Sequence, residues 1–166
     1  MIRRKPILPK AAAQLLNLAT GDVPLGAAET TDGWAVASLH GFHILRPGGV
    51  PVVIPWYEVD SLGMDPDTRV LQVRLVDGSM TPVPLVDGGS ARFAMILRER
   101  VNRSIVHVEH ADTEASIRVV IRRDHTGEFI MQVIGDGVDP DAPEFAAVTK
   151  AAQMLAWEAV GKPPSW

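Results

Sequence analysis

Between Gly33 and Val86 the chain repeats one pattern: a short run of alternating apolar and polar residues, a turn signal, then another run. Period-two alternation is what a strand with one buried face requires, because successive side chains leave the pleat on opposite sides. Trp34 to Leu39 puts Trp34 and Val36 on one face, His40-Gly41 suits a two-residue hairpin, and Phe42-His43-Ile44-Leu45 is the returning strand. Arg46-Pro47-Gly48-Gly49 turns the chain again. Val50 to Ile54 is a third strand, with Pro51 near its start, where a missing ladder donor matters least. Pro55 breaks or bends it, and residues 56–63 are expected to continue as extended chain. Asp65-Pro66-Asp67 is a turn, and Val70 to Val76 is a strand with Leu71, Val73 and Leu75 on one face. Asp77-Gly78 is a strong hairpin signal, and the returning run to Val86 carries Pro82 and Pro84, which mark an edge strand.

Helices flank this meander. A basic lead over residues 1–8 precedes Pro9, which can open a helix over about residues 10–19 with a wide apolar stripe of Ala11, Leu15 and Leu18 together with Ala12, Leu16 and Ala19. Gly21 stops it, and residues 22–32 read as a loop of small residues. Ser90 caps a helix over residues 91–103 whose buried face is Phe93, Ile96, Leu97 and Val101, with Arg92, Glu99 and Arg103 outward. Ile105 to His110 is extended. Ala115 to Arg123 is a strand with Ile117, Val119 and Ile121 inward and Arg118, Val120 and Arg122 outward, and Glu128 to Ile134 pairs back after a turn at Asp124 to Gly127. The last helix has Asp141 at the N-cap, Pro143 in its first turn and Glu144 where a capping box needs it. Phe145, Val148, Ala152, Leu155 and Ala159 follow the spacing of one packed face, Gly161 ends the helix, and Pro163-Pro164 prevents its resumption.

The expected fold is therefore α+β: an antiparallel curved sheet or split barrel of about seven strands with three helices, the last at the C-terminus. Residues 1–32 form a lead and helix, and 33–166 a single domain with strands at 33–86 and 105–134 and helices at 90–103 and 141–160. A hydrophobic content of 46 % with 22 % charged residues is ordinary for a soluble globular chain, and 166 residues suffice for one proper core. The net charge of −4 argues against a general nucleic-acid binder, which carries a basic field. The absence of cysteine excludes disulfides, thiolate metal sites and a cysteine nucleophile. Met1 to Pro6 has the charge of a secretory leader, but no adequate apolar run follows, and no stretch approaches the roughly 20 apolar residues that span a bilayer. A cytoplasmic location follows as the expectation. The weight of arginine, alanine, glycine and valine over lysine and asparagine hints at a GC-rich bacterial genome.

Ile54-Pro55-Trp56, followed by Val59 and Leu62 and then by Asp77-Gly78, resembles the opening strands of a pleckstrin-homology-like or GRAM-like domain. The whole chain also resembles actinobacterial proteins. The resemblance covers about a third of the chain well, and places a helix such as Ser90–Arg103 after the strands. It implies a non-enzymatic adaptor that binds peptides, proteins or lipid headgroups. Members that bind phosphoinositides use a Lys/Arg cluster in the first hairpin. Here that hairpin has only His43 and Arg46 nearby, so inositol-lipid binding does not carry over.

Several side-chain sets invite sharper readings. On a strand, His107 and Glu109 share one face and His110 takes the other, so at most two ligands converge where zinc needs three or four. His40 and His43 meet the same objection. Asp136, Asp139, Asp141 and Glu144 precede the last helix without the spacing of a calcium loop. No metal and no cofactor is expected. Arg118, Arg122 and Arg123 on one strand, with Arg98, Arg100 and Arg103 on a helix, could form an anion patch; solvated arginines balanced by Glu99, Glu109 and Asp124 are the favoured account. No Gly-x-Ser-x-Gly, phosphate-loop, Gly-x-Gly-x-x-Gly or His-Glu-x-x-His motif occurs. Opposite the expected packed face of the last helix stand Ala147, Met154 and Trp157, so that helix is apolar nearly all round and suits a partner or a second copy. The leading expectation is an interaction module without catalysis. The alternatives are a domain enclosing a lipid or small metabolite, with Trp34, Trp56 and Phe129 as pocket walls, and an enzyme with a dispersed site.

Overall fold

The computed structural model describes residues 8–162. The basic lead before Leu8 and the residues after Lys162, Pro163-Pro164 and Trp166 among them, lie outside that range. The described residues form ten strands, all antiparallel, in three sheets, together with three α-helices. The fold class is α+β as expected, with more than seven strands and no closed barrel. The chain divides into two compact units. The first runs to Leu75 and resumes over Met80–Asn102; the second holds Arg103 onward with Val76–Ser79.

The first unit opens with α1 (Lys10–Leu15) and a four-stranded sheet in the order β1 (Pro24–Thr30), β2 (Gly33–Ser38), β3 (Gly41–Leu45), β4 (Val52–Pro55). The β1 segment reads as a loop in sequence, because Gly26, Ala27 and Ala28 have little strand propensity. Tertiary packing decides otherwise. Ala27 pairs with Val36 and Glu29 with Trp34. A Cβ at Gly26 would sit 2.9 Å from Ile96 Cδ1 and 3.5 Å from Phe93 Cδ2, so the side chains of the neighbouring helix pack directly on the backbone here. After β4 the chain does not stay extended. Residues Trp56–Glu58 form a 3-10 turn that leads into β5 (Val59–Met64). The turn buries the Trp56 indole, whose Nε1 donates to the Ser38 carbonyl at 3.0 Å and whose ring lies 6.3 Å from that of Phe42.

β5, β6 (Val70–Leu75) and β7 (Met80–Pro84) form a second meander, with the proline-bearing β7 at an edge, as Pro82 and Pro84 predict. A single bridge, Thr30 with Leu85, touches β1 to the end of β7. The next helix, α2 (Ala91–Ser104), starts where Ser90 Oγ accepts the Phe93 amide at 3.1 Å, the expected N-cap. One core joins these parts: Ala35, Phe42, Ile44 and Ile54 from the first sheet, Val59, Leu71, Val73 and Val83 from the second, and Phe93, Leu97 and Val101 from α2. At about 1.5–3 kcal/mol for each large apolar side chain removed from water, this burial holds the unit together.

The other face of the first sheet has its own small cluster. Val36 and Leu45 are buried there under Ala12, Leu15 and Leu16, with Leu8, Ala27 and Trp34 at the margin. α1 is shorter than its stripe suggests: Leu16 is already extended, so residues 16–19 do not continue the helix. A helix of six residues cannot hold itself by propensity and needs the apolar face beneath it.

The second unit contains β8 (Ile105–His110), β9 (Ile117–Arg123) and β10 (Phe129–Gly135), with β9 central, and α3 (Ala146–Ala159). Ile117, Val119 and Ile121 point inward as expected, and they pack with Ala152 and Ala156 of α3. The expected outward pair on β9 is a correction: Val120 and Arg122 are both fully buried, because a central strand here is covered on both faces. The face of α3 is a second correction. Phe145, Val148 and Ala152 pack as expected, joined by Thr149, Ala156, Trp157 and Val160, but Leu155 and Ala159 are exposed. Small alanines let the helix approach the sheet closely, and Leu155 lies about 100° around the helix from Ala156. Asp141 does not cap the helix. Its amide donates to Asp139 Oδ1 at 3.0 Å in a turn, and a 3-10 turn at Pro143–Phe145 begins the helical segment. The other end matches expectation. Gly161 adopts φ +70°, its amide donates to the Glu158 carbonyl, and the Lys162 amide donates to the Trp157 carbonyl, which is a Schellman closure.

Candidate functional site

A buried polar cluster closes one end of the β2–β3 hairpin, and sequence reasoning did not assemble it. Asp22 lies in the segment before β1, Ser38 ends β2, and His43 sits in the middle of β3. Ser38 Oγ lies 2.7 Å from Asp22 Oδ2, 2.9 Å from His43 Nε2 and 3.1 Å from the Gly41 amide nitrogen. The shortest contact is to the carboxylate, so the hydroxyl proton goes there. Its two lone pairs then accept from the Gly41 N–H and from an Nε2–H on His43, and the hydroxyl is saturated. Asp22 Oδ1 accepts the Val23 amide at 2.9 Å and the His40 amide at 3.1 Å. His40 Nδ1 is 4.0 Å and His43 Nε2 3.8 Å from Asp22 Oδ2.

The residue types are those of a hydrolytic triad, but the order of contacts is different. In a triad the histidine stands between the acid and the nucleophile. Here the serine stands between acid and histidine, and Ser38 is fully buried. A hydroxyl with every bond used and no solvent access cannot attack a substrate. Burial pushes the His43 imidazole below the usual histidine range, and the Asp22 carboxylate opposes this more weakly. The cluster therefore works as a neutral-histidine clamp that ties the segment before β1 to the hairpin. The signal in the sequence was weak: His40 and His43 were visible, but their meeting with Asp22 depends on a β1 strand that the sequence did not announce.

Of the arginines considered for an anion patch, Arg122 is withdrawn from the surface. Arg122 is fully buried, and its Nη1 donates to Ser104 Oγ at 2.8 Å. Arg118 Nε lies 3.6 Å from Asp136 Oδ2, which also accepts from Ser116 Oγ. Arg103 is exposed on α2, and Arg100 lies 3.5 Å from Glu99. Arg123 stacks over the Phe129 ring at 5.2 Å, and Lys162 over the same ring at 4.6 Å. His107 and Glu109 share a face as expected and contact each other at 3.1 Å. Among the described residues no group of three or more His, Asp or Glu is arranged to hold a metal ion.

Two exposed apolar surfaces remain. On α3, Met154 is 49 % and Leu155 52 % exposed, while Trp157 is half-buried in the core of its unit. Met154 therefore stands where the sequence put it, and Leu155 takes the place expected of Trp157. On β4, Val52 and Val53 are 41 % and 52 % exposed, and the preceding Val50 is 88 % exposed. β4 is an edge strand, hydrogen-bonded to β3 on one side only. Trp34 and Phe129 are half-buried, and Trp56 is buried within the first core. No helix among the described residues is long and apolar enough to cross a membrane. No family model, no curated protein and no solved structure matches the chain.

Proposed function

We propose that this chain is a non-catalytic interaction module, built on a pleckstrin-homology-like first unit, that binds an extended apolar segment of a partner protein along β4. The observation that carries this reading is the exposure of Val52 and Val53 on a sheet edge with no further strand beyond it among the described residues, with exposed Val50 just before them. Pro51 and Pro55 bound the strand and limit its open edge to residues 52–54, where no charged side chain stands. An added strand would take up the outward backbone groups of β4, and the valines would supply apolar contact. A four-stranded and a three-stranded meander around one core, followed at once by a helix, support the pleckstrin-homology-like assignment.

A peptide-display selection against the full chain tests it. Enriched sequences should alternate apolar residues over four to six positions, and Val53→Lys should weaken their binding by about tenfold or more. Enrichment that ignores Val53→Lys would refute the β4 assignment. A second reading, self-association through α3, rests on the exposed Met154 and Leu155. Native mass spectrometry of the same protein separates the two: a dimer that Leu155→Lys dissolves favours α3, and a monomer favours β4. A small adduct of reproducible mass would overturn both in favour of a ligand-binding domain.

A further inference from the structure

The segment that crosses the outer face of the first sheet is attached differently from everything else in its unit. None of residues 8–23 belongs to the core formed by the two meanders and α2, which begins at Ala28. That core is complete without them. Their apolar attachment is a small cluster in which Ala12 is the only residue of the segment that is fully buried, with Leu8, Leu15 and Leu16 partly covered. α1 has no side-chain N-cap and is six residues long, so it contributes little stability of its own.

The polar attachment converges on one side chain. The Asp22 carboxylate is 3 % exposed and reaches Ser38 Oγ, the His40 amide and the neighbourhood of His43. Beside it, a backbone tie runs from the Leu39 amide to the Val23 carbonyl at 3.0 Å. Beneath the segment lie Val36 and Leu45, apolar and buried only because something covers that face of the sheet.

We propose that residues 8–23 are a strap, latched by Asp22, that lifts from the outer face of the first sheet while the inner core stays folded. The closed state masks the apolar row of Val36 and Leu45; the lifted state uncovers it. The physical basis is the mismatch in attachment. Opening breaks one carboxylate cluster and a small apolar contact, whereas unfolding the unit breaks the whole inner core, so the two events have different free energies.

Amide hydrogen exchange followed by mass spectrometry on the full chain tests the strap, with wild type, Asp22→Asn and Asp22→Ala compared. In Asp22→Ala the amides of residues 11–16 and of His40 should exchange about ten to a hundred times faster, the range expected for loss of a hydrogen-bonded charged group. Amides of β6 and α2 should keep their wild-type rates, and Asp22→Asn should fall between. Equal acceleration in all three regions, no acceleration in any, or an Asp22→Ala chain that does not fold would each overturn the proposal. Wild type in stepped sub-denaturing urea gives an independent reading. The strap amides must open at a lower free energy than those of Leu71 and Val73, and a single shared isotherm would refute a separable strap.

Discussion

Replacing Ser38 with alanine removes one oxygen and changes almost nothing else in volume, so the cost measures the polar cluster itself. Three partners lose their bond: Asp22 Oδ2 at 2.7 Å, His43 Nε2 at 2.9 Å and the Gly41 amide at 3.1 Å. Asp22 keeps the Val23 and His40 amides on its other oxygen, so its loss is partial. The Gly41 N–H and the His43 Nε2–H become buried donors without their acceptor, and each such group costs about 1–3 kcal/mol. Part of this is recovered if His43 turns to Asp22, already 3.8 Å away. The expected destabilisation of the first unit is about 2–5 kcal/mol, against the few tenths typical of a buried change without orphaned groups. Urea unfolding read by hydrogen exchange of β2, β3 and β6 peptides reports the first unit separately from α3. A second variant, Ser38→Ala with Asp22→Asn, should cost less than the sum of the two single changes, because the partners share one network. A loss below about 1 kcal/mol for Ser38→Ala would refute the claim that this hydroxyl is the hub of the clamp.

His43 makes stability depend on pH in a defined direction. Burial lowers its folded-state affinity for a proton below that of the unfolded chain, so below its ordinary value of 6.5 the unfolded state binds more protons. Stability is therefore full above that value and falls as the pH drops below it; the charged and titratable groups around the imidazole are Asp22 and, through it, His40. His43→Gln should flatten the slope of urea midpoint against pH between 6.5 and about 5, and an unchanged slope would exclude His43 as its source. At the other end of the chain, Gly161→Ala should cost about 1 kcal/mol, since an alanine at φ +70° carries left-handed strain and the Schellman closure requires that conformation. Thermal unfolding read on α3 peptides checks it, with no change expected at β6.

Local chemistry written along the chain was read correctly where it acts locally. Ser90 caps α2, Asp77-Gly78 turns β6 into β7, Pro82 and Pro84 sit on an edge, and Gly161 closes α3, because each is settled by a few adjacent residues and their backbone. The alternation of Leu71 with Val73, and of Ile117 with Val119 and Ile121, likewise reports a buried face, since the pleat has a period of two. Three features needed the assembled structure. A strand at Pro24–Thr30, made of weak strand formers, exists because β2 pairs with it and α2 packs closely over Gly26. Arg122 and Val120 are buried although their alternation marks them as outward, because burial of a second sheet face depends on what covers it and leaves no trace in the strand's own period. The clamp of Asp22, Ser38 and His43 joins residues up to 21 positions apart through one hairpin and one returning strand. Sequence by itself determined the α+β class, the Ser90 cap and the Gly161 stop, but not the start of α3, where Asp141 bonds within its own turn; tertiary packing alone decided which faces are covered and which polar groups meet, because covering and meeting are properties of distant segments brought together.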